Sequence, residues 1–410
     1  MRDDTAFRVP TRRHLEFLVA FLAVVATVNW RRGDYFAGSL DPVVAAKGML
    51  TATALLLAWA LAVSGPRRKL GTGSCWWVAA ILVCSLLGAL GTGHLWAGGV
   101  VVVRVAMVAC ALFFLLRTAS GVQVVTDTAT SCGAVAVVAA LTGIPGMTDG
   151  RLAGGYPAMA ANGLSLLAAA VVLVLAWRTV LGLSRWPSAV AAAVFLGIIW
   201  ETGSRTVLLM LAAAVLLMVL QMRRPQVGLV VGALLGSAAV VVLALLTGAI
   251  TGFLERDGTG LSTVDSRMIA WSAALSQDGG LWQKLFGSGL SVKIIHVTGQ
   301  YWDTQPLDST WMSLVVQAGR LGFGIALVWV LWVLVSAARA PYPQRVLLLG
   351  MLVFLVGRSV LESGLFDATP EFMLFLAVAL LSEGGSRGRL GVEAAEFGAP
   401  AHEEVPSLQR

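Results

Sequence analysis

Long apolar runs separated by short polar segments recur along almost the whole chain. A membrane-spanning helix needs about 20 mostly apolar residues, and the sequence contains twelve candidate runs. The seventh and twelfth are short, and the tenth is interrupted by glycines. They lie near residues 15–30, 42–63, 75–92, 95–116, 124–143, 158–177, 188–203, 205–222, 227–252, 309–338, 346–361 and 370–382. The pattern predicts an all-α polytopic membrane protein with about 12 transmembrane helices.

Basic residues between these runs predict the orientation of the chain. Short cytoplasmic loops of membrane proteins carry an excess of Lys and Arg. If the N-terminus is cytoplasmic, the inner segments are the basic ones, and both termini lie in the cytoplasm. The basic residues of these segments are Arg67, Arg68, Lys69, Arg117, Arg178, Arg185, Arg223, Arg224, Arg339, Arg345, Arg387 and Arg389.

The same pattern predicts a single transmembrane domain over residues 1–382. One long extracytoplasmic loop, residues 253–308, precedes the last three helices, and its segment 266–275 is expected to form a short amphipathic helix at the membrane surface. Residues 383–410, with Gly, Glu and Pro, are expected to form a disordered cytoplasmic tail. The first apolar run ends without a small-residue cleavage site, which predicts a retained helix rather than a signal peptide.

Composition supports lipid as the solvent for most of the chain. Charged residues make up 12% of the sequence and hydrophobic residues 58%, whereas soluble domains carry about 25% charged residues. The net charge of +7 is spread over many short loops, which favours membrane orientation over nucleic-acid binding. The cysteines lie in or beside apolar runs without metal-ligand spacing, so they are expected to act as small core side chains.

Several cations break the orientation rule, because they fall on or near the outer side. They are Arg31, Arg32, Arg151, Arg205, Arg256, Arg267, Lys284, Lys293, Arg320 and Arg358. A charge beside a spanning helix is costly and usually faces a cavity or a partner. Guanidinium groups match phosphate oxygens bidentately, so converging arginines would suit a diphosphate headgroup. Alternatively, single arginines extend to lipid headgroups or pair with nearby acids. Arg104 and Lys47 lie within apolar runs, and their acidic partners are not evident from sequence.

Four stretches carry a more specific pattern. The first runs from Arg151 to Asn162 (RLAGGYPAMAAN), and the second is Thr202-Gly-Ser-Arg205-Thr. The third combines Asp265-Ser-Arg267-Met-Ile-Ala-Trp271 with Leu285-Phe-Gly-Ser-Gly289, and the fourth joins Leu307-Asp308-Ser-Thr-Trp with Gln317-Ala-Gly319-Arg-Leu-Gly322. Together they resemble the O-antigen ligase and polymerase superfamily of bacterial polysaccharide assembly, over roughly residues 145–380. The family's Asn-Pro pair before Asn162 is degraded here.

The resemblance implies a GT-C-like membrane glycosyltransferase of the bacterial plasma (inner) membrane, with its active site facing outside. Such an enzyme transfers a glycan from a polyprenyl-diphosphate-linked donor to a glycan hydroxyl, with inversion and without a metal or other cofactor. The sequence is compatible with this, since it has no Asp-x-Asp pair or His cluster on the outer side. Ligases of the family have histidine where Asp308 stands and polymerases often have aspartate, which favours a polymerase.

By the same resemblance, Asp308 is the expected general base, and Arg205 and Arg267, supported by Arg151, are expected to bind the donor diphosphate. Asn162, His296, Arg358 and Glu362 are supporting candidates. Four of these residues have an alternative interpretation. Asp308 is well placed to cap the tenth helix, His296 is the rival base or merely solvated, and Arg358 and Glu362 are spaced for an intrahelical ion pair. Asp367 is a further acid near the eleventh helix.

A transporter of a lipid-linked oligosaccharide or another anionic substrate is the alternative function. It would use the same basic cavity to bind the headgroup. Against it, the long outer segment falls late in the chain, and no internal repeat relates two halves. A non-catalytic scaffold would not need arginines clustered on one face.

Overall fold

A computed structural model describes the protein over residues 10–31, 36, 38, 41–65, 68–147, 150–184, 186–222, 260–276, 279–297 and 304–386, with side chains described except at 10–11 and 260–267. Of the residues that the structure describes, 77% are helical. The helices are α1 (Pro10–Thr27), α2 (Pro42–Ser64), α3 (Gly73–Gly91), α4 (Leu95–Thr118), α5 (Gly121–Gly143), α6 (Ala161–Val180), α7 (Trp186–Thr202), α8 (Arg205–Leu220), α9 (Gly260–Leu275), α10 (Leu281–Phe286), α11 (Thr310–Ala338), α12 (Tyr342–Ser359) and α13 (Pro370–Ser382). A 3-10 turn, Ile144–Gly146, follows α5.

Two short strands interrupt the otherwise helical chain between α10 and α11. β1 (Ile294–His296) pairs antiparallel with β2 (Thr304–Pro306), so that Ile295 lies opposite Gln305. Ala270 and Ala274 of α9 are buried against this hairpin and α11, in a small cluster with Ile295 and Leu307. The helix predicted over 266–275 is therefore present as the second part of α9.

Eleven of the twelve predicted apolar runs coincide with helices, and the run at 227–252 lies outside the described residues. Six described helical segments are long and apolar enough to cross a membrane, namely α2, α3, α4, α5 with its 3-10 turn, α6 and α11; α7, α8 and α13 are shorter apolar helices. The chain is an all-α membrane protein with several candidate spans. The total of twelve spans and the cytoplasmic side of the termini stay predictions.

Connections between the helices alternate between two ends of the bundle. At one end, the backbone amide of Arg68 donates to Arg117 O (2.9 Å), and the Trp177 indole donates to Pro343 O (2.7 Å). At this end the Glu383 carboxylate also accepts from the amides of Gly73 (3.0 Å) and Ser74 (2.6 Å) at the start of α3. These segments are the ones predicted to be cytoplasmic. The other end, called the site end, holds the segments 28–31, 144–147, 150–160, 203–204, 287–297 and 360–369.

Helix α13 forms the centre of the bundle. All its residues from Pro370 to Ser382 are buried, and it packs against α3, α4, α5, α11 and α12. A helix that is apolar on every side is typical of a fully surrounded position. Thr369 caps its start, because the hydroxyl accepts from the Phe372 amide (3.2 Å). This helix therefore fixes the position of Glu371 in its first turn. Glu383 and Ser386, which follow α13, are also buried.

Helix α11 is kinked where the sequence showed a glycine-interrupted run. Gly319 has φ 70° and ψ −173° inside this helix, a conformation that essentially only glycine adopts. The kink leaves helix carbonyls available to the segment after α10. The Ser288 amide donates to Val316 O (2.8 Å) and the Gly289 amide to Gln317 O (2.9 Å). The third and fourth family-like stretches thus meet at this kink.

A substitution of Gly319 by alanine is expected to destabilise the protein by about 1–3 kcal/mol from backbone strain alone. The added Cβ would also lie 2.2 Å from Leu285 O, so the docked segment would have to move. The matched control is Gly324→Ala on the same helix, where an added Cβ meets nothing within 4 Å. Thermal unfolding in detergent measures both variants. Equal melting temperatures for the two would contradict the assigned role of the kink.

Candidate functional site

A buried ion pair joins α12 to the central helix at the site end. Arg358, near the end of α12, donates through Nη1 to Glu371 Oε2 and through Nη2 to the backbone oxygen of Asn162 (3.3 Å). Arg358 is 3% exposed and Glu371 is 1% exposed. Glu362 Oε2 lies 3.9 Å from Arg358 Nη2, which confirms the ion pair predicted between these two residues. The closer carboxylate, however, is that of Glu371.

Asn162 connects this ion pair to the first two family-like stretches. Its side-chain amide donates to Glu362 Oε1 (2.5 Å), and its side-chain oxygen accepts from Arg151 Nη2 (3.4 Å). Arg151 Nε donates in turn to Thr202 O (3.0 Å), at the end of α7. The structure therefore links Thr202, Arg151, Asn162, Glu362 and Arg358 into one chain of polar contacts.

The start of α11 is held against the same network. The Thr310 amide and hydroxyl both donate to the backbone oxygen of Glu362, at 3.1 Å and 2.8 Å. Ser309 occupies the N-cap position and its side chain makes no capping bond. Asp308 precedes that position, so the prediction that Asp308 caps this helix is wrong. The physical reason is that α11 begins at Thr310, one residue later than predicted, where the Glu362 carbonyl accepts from the Thr310 amide.

A cavity of about 250 Å³, called the carboxylate cavity, lies beside these contacts. Two of its polar atoms, Arg358 Nε and Glu371 Oε1, are buried without a hydrogen-bond partner among the described residues. Buried polar atoms of this kind are costly unless water or a ligand satisfies them. The charged and amide side chains that line the cavity are those of Asn162, Asp308, Arg358, Glu362 and Glu371.

A second polar space, called the basic cavity, has a volume of about 400 Å³ and lies between α1, α2 and α4. Its charged lining residues are Arg31, Asp41, Lys47, Arg104, Lys293 and Asp367. Arg31 pairs with Asp41 (2.7 Å) and Lys293 with Asp367 (2.6 Å). Burial opposes ionisation of Asp367, but the Lys293 ammonium, the charge of Arg104 and the Ala368 amide together outweigh it and keep the pKa of this carboxyl below its ordinary value.

A smaller cavity of about 220 Å³, called the linking cavity, shares residues with both of the others. It shares Lys293 and Asp367 with the basic cavity, and Ala160 and Ser363 with the carboxylate cavity. Asn29, directly after α1, lines all three. The polar spaces are therefore neighbours at the site end.

The structure brings some of the predicted site residues together and leaves others apart. Asp308, Asn162, Arg358 and Glu362 line the carboxylate cavity. Arg151 reaches it only through Asn162, and Arg205 begins α8 without lining any of these three cavities. The side chain of Arg267 lies outside the described residues.

His296 lies apart from the cavities. It is exposed on β1, opposite Thr304.

Sequence reasoning missed Glu371, the main partner of Arg358. The only signal was an acid directly after Thr369-Pro370 at the start of an apolar run, a position where acids commonly favour the helix N-terminus. Asp367 lines the same cavity as Lys47 and Arg104, but its ion pair is with Lys293.

Chemically, the site end offers carboxylates that can accept a proton and cations that can neutralise an anionic group. The two functions are spatially separated. Carboxylates concentrate around Asp308, and the excess of cations lies around Lys47 and Arg104. No protein-family model matches the sequence, and no curated protein sequence matches it significantly.

Proposed function

We propose that this protein is a membrane glycosyltransferase. It would transfer an oligosaccharide from a polyprenyl-diphosphate-linked donor to a glycan hydroxyl at the extracytoplasmic face of a bacterial plasma membrane. The observation that carries the proposal is the polar chain from Thr202 through Arg151 and Asn162 to Glu362, beside a cavity that Asp308 lines. The first, second and fourth family-like stretches are far apart in sequence, and they meet at this site.

In the proposed reaction, the acceptor hydroxyl gives its proton to the Asp308 carboxylate while its oxygen attacks the anomeric carbon of the donor. The bond from that carbon to the diphosphate oxygen breaks, and polyprenyl diphosphate leaves with the bonding electrons. Attack opposite the leaving group inverts the anomeric centre. Cations stabilise the charge that develops on the diphosphate, a role proposed for Arg151, Arg205 and Arg267. Asp308 in place of histidine favours the polymerase form of this reaction over the ligase form.

Arg358 and Glu362 have a positioning role in this proposal. Both contact Asn162, through its backbone oxygen and its side-chain amide respectively. They hold the start of α6 against the α12–α13 connection, next to Asp308. Because they line the carboxylate cavity, they are also placed to orient the sugar of the acceptor.

The test uses the purified full-length protein in liposomes that contain a polyprenyl-diphosphate oligosaccharide. The expected result is elongated glycan, sized by electrophoresis, with an unchanged yield in EDTA. A lipid-leaflet accessibility assay runs in parallel. Movement of the donor between leaflets without elongation would replace the enzyme proposal by the transporter alternative, and neither elongation nor movement would reject both.

A further inference from the structure

An apolar groove of about 470 Å³ opens beside the basic cavity. Its walls come from Phe21 and Val25 of α1, Val43 of α2 and Val138 of α5. Trp30, Arg31 and Val43 line both the groove and the basic cavity. A ligand with an apolar chain and a polar headgroup therefore fits across the two spaces, with Arg31 at the junction.

The basic cavity has a surplus of positive charge. Arg31 and Lys293 are matched by Asp41 and Asp367. Among the described residues, no carboxylate forms an ion pair with Lys47 or Arg104.

Arg104 lies within a candidate membrane span, where its Nη2 donates to Ala26 O (2.7 Å) and its Nε is buried without a partner. Lys47 also lies within a candidate span. Cations in such segments face a cavity or an anionic partner because the bilayer offers them no compensation.

We propose that a lipid with a phosphate or diphosphate headgroup binds here. Its chain lies in the groove formed by α1, α2 and α5, and its headgroup contacts Lys47, Arg104 and Arg31. The basic cavity attracts the charged headgroup, and the apolar groove accommodates the chain. A soluble anion would use only the basic cavity. The inference does not rest on the proposed function, because that function assigns the reacting diphosphate to Arg151, Arg205 and Arg267, and the basic cavity contains other cations.

The binding test uses the full-length protein in phosphatidylcholine nanodiscs and a radiolabelled polyprenyl phosphate that carries no sugar. Lys47→Gln removes one charge-assisted contact and is expected to weaken binding about tenfold. Val138→Trp fills the groove and is expected to weaken it by a similar factor. Controls are Lys284→Gln, at an exposed cation of α10, and Val194→Trp. Val194 on α7 is 52% exposed and Val138 is 51% exposed, so both tryptophans enter equally open positions.

Weaker binding by Lys47→Gln and Val138→Trp, with both controls like the wild type, would support the inference even if no glycan transfer is observed. Unchanged lipid binding in both variants would overturn it, even if the protein transfers glycan. Inorganic pyrophosphate supplies the third arm. If it binds as tightly as the lipid phosphate and Val138→Trp has no effect on the lipid, the site is one for a soluble anion and the lipid assignment is wrong.

Discussion

Replacing Arg358 by methionine is expected to destabilise the folded protein by about 3–5 kcal/mol, because removing one partner of a buried ion pair leaves an uncompensated charge. The charge left behind is that of Glu371, which is 1% exposed at the start of the central helix. The loss extends to α6, since Arg358 also donates to the backbone oxygen of Asn162. The measurement is the melting temperature of the purified protein in one detergent.

Two variants distinguish a buried ion pair from a general loss of packing. The double variant Arg358→Met with Glu371→Leu replaces the whole pair by apolar groups, a change that is often neutral or stabilising, so it should recover much of the lost stability. Arg345→Met, on the same helix but at the opposite end, is expected to change stability by no more than about 0.5 kcal/mol. A double variant as unstable as Arg358→Met would show that the ion pair is not the cause.

Hydropathy predicted the helices well because burial in lipid and burial in a bundle both require long apolar runs. Local signals also set some helix boundaries, such as Asp41 before Pro42, where the Asp41 carboxylate accepts from the Val44 amide (2.8 Å). The kink at Gly319 lies in the tenth apolar run, the one that glycines interrupt in the sequence. Such features depend on neighbours in sequence, and sequence patterns contain that information.

Contacts between distant segments account for what the sequence could not predict. Spacing indicated Glu362 as the partner of Arg358, but the turn between α12 and α13 brings Glu371 closer. Asp308 was expected to cap α11. Instead, the backbone oxygen of Glu362, 52 residues from Thr310, accepts hydrogen bonds from Thr310 at the start of this helix. The cavities are also formed by several helices together, so no single stretch encodes Lys47, Arg104 and Asp367 as neighbours.

Replacing Asp308 by asparagine is expected to lower the rate of glycan transfer by about 10²–10⁴-fold, the usual contribution of a general base. The change keeps the size of the side chain but removes its negative charge and its ability to take up the acceptor proton. Binding of polyprenyl phosphate should stay unchanged, because the basic cavity lies apart from Asp308. The measurements are single-turnover transfer rates and lipid affinity on the same preparations.

The rival base His296 supplies the matched control. It is exposed on β1 and lines neither the apolar groove nor any of the three polar cavities described above, so His296→Gln should transfer glycan at close to the wild-type rate. Asp308→Glu keeps a carboxylate on a longer side chain and should restore part of the activity lost in Asp308→Asn. If Asp308→Asn keeps its activity while His296→Gln loses it, the proton acceptor is the histidine. The chemistry would then lie in the hairpin rather than in the carboxylate cavity.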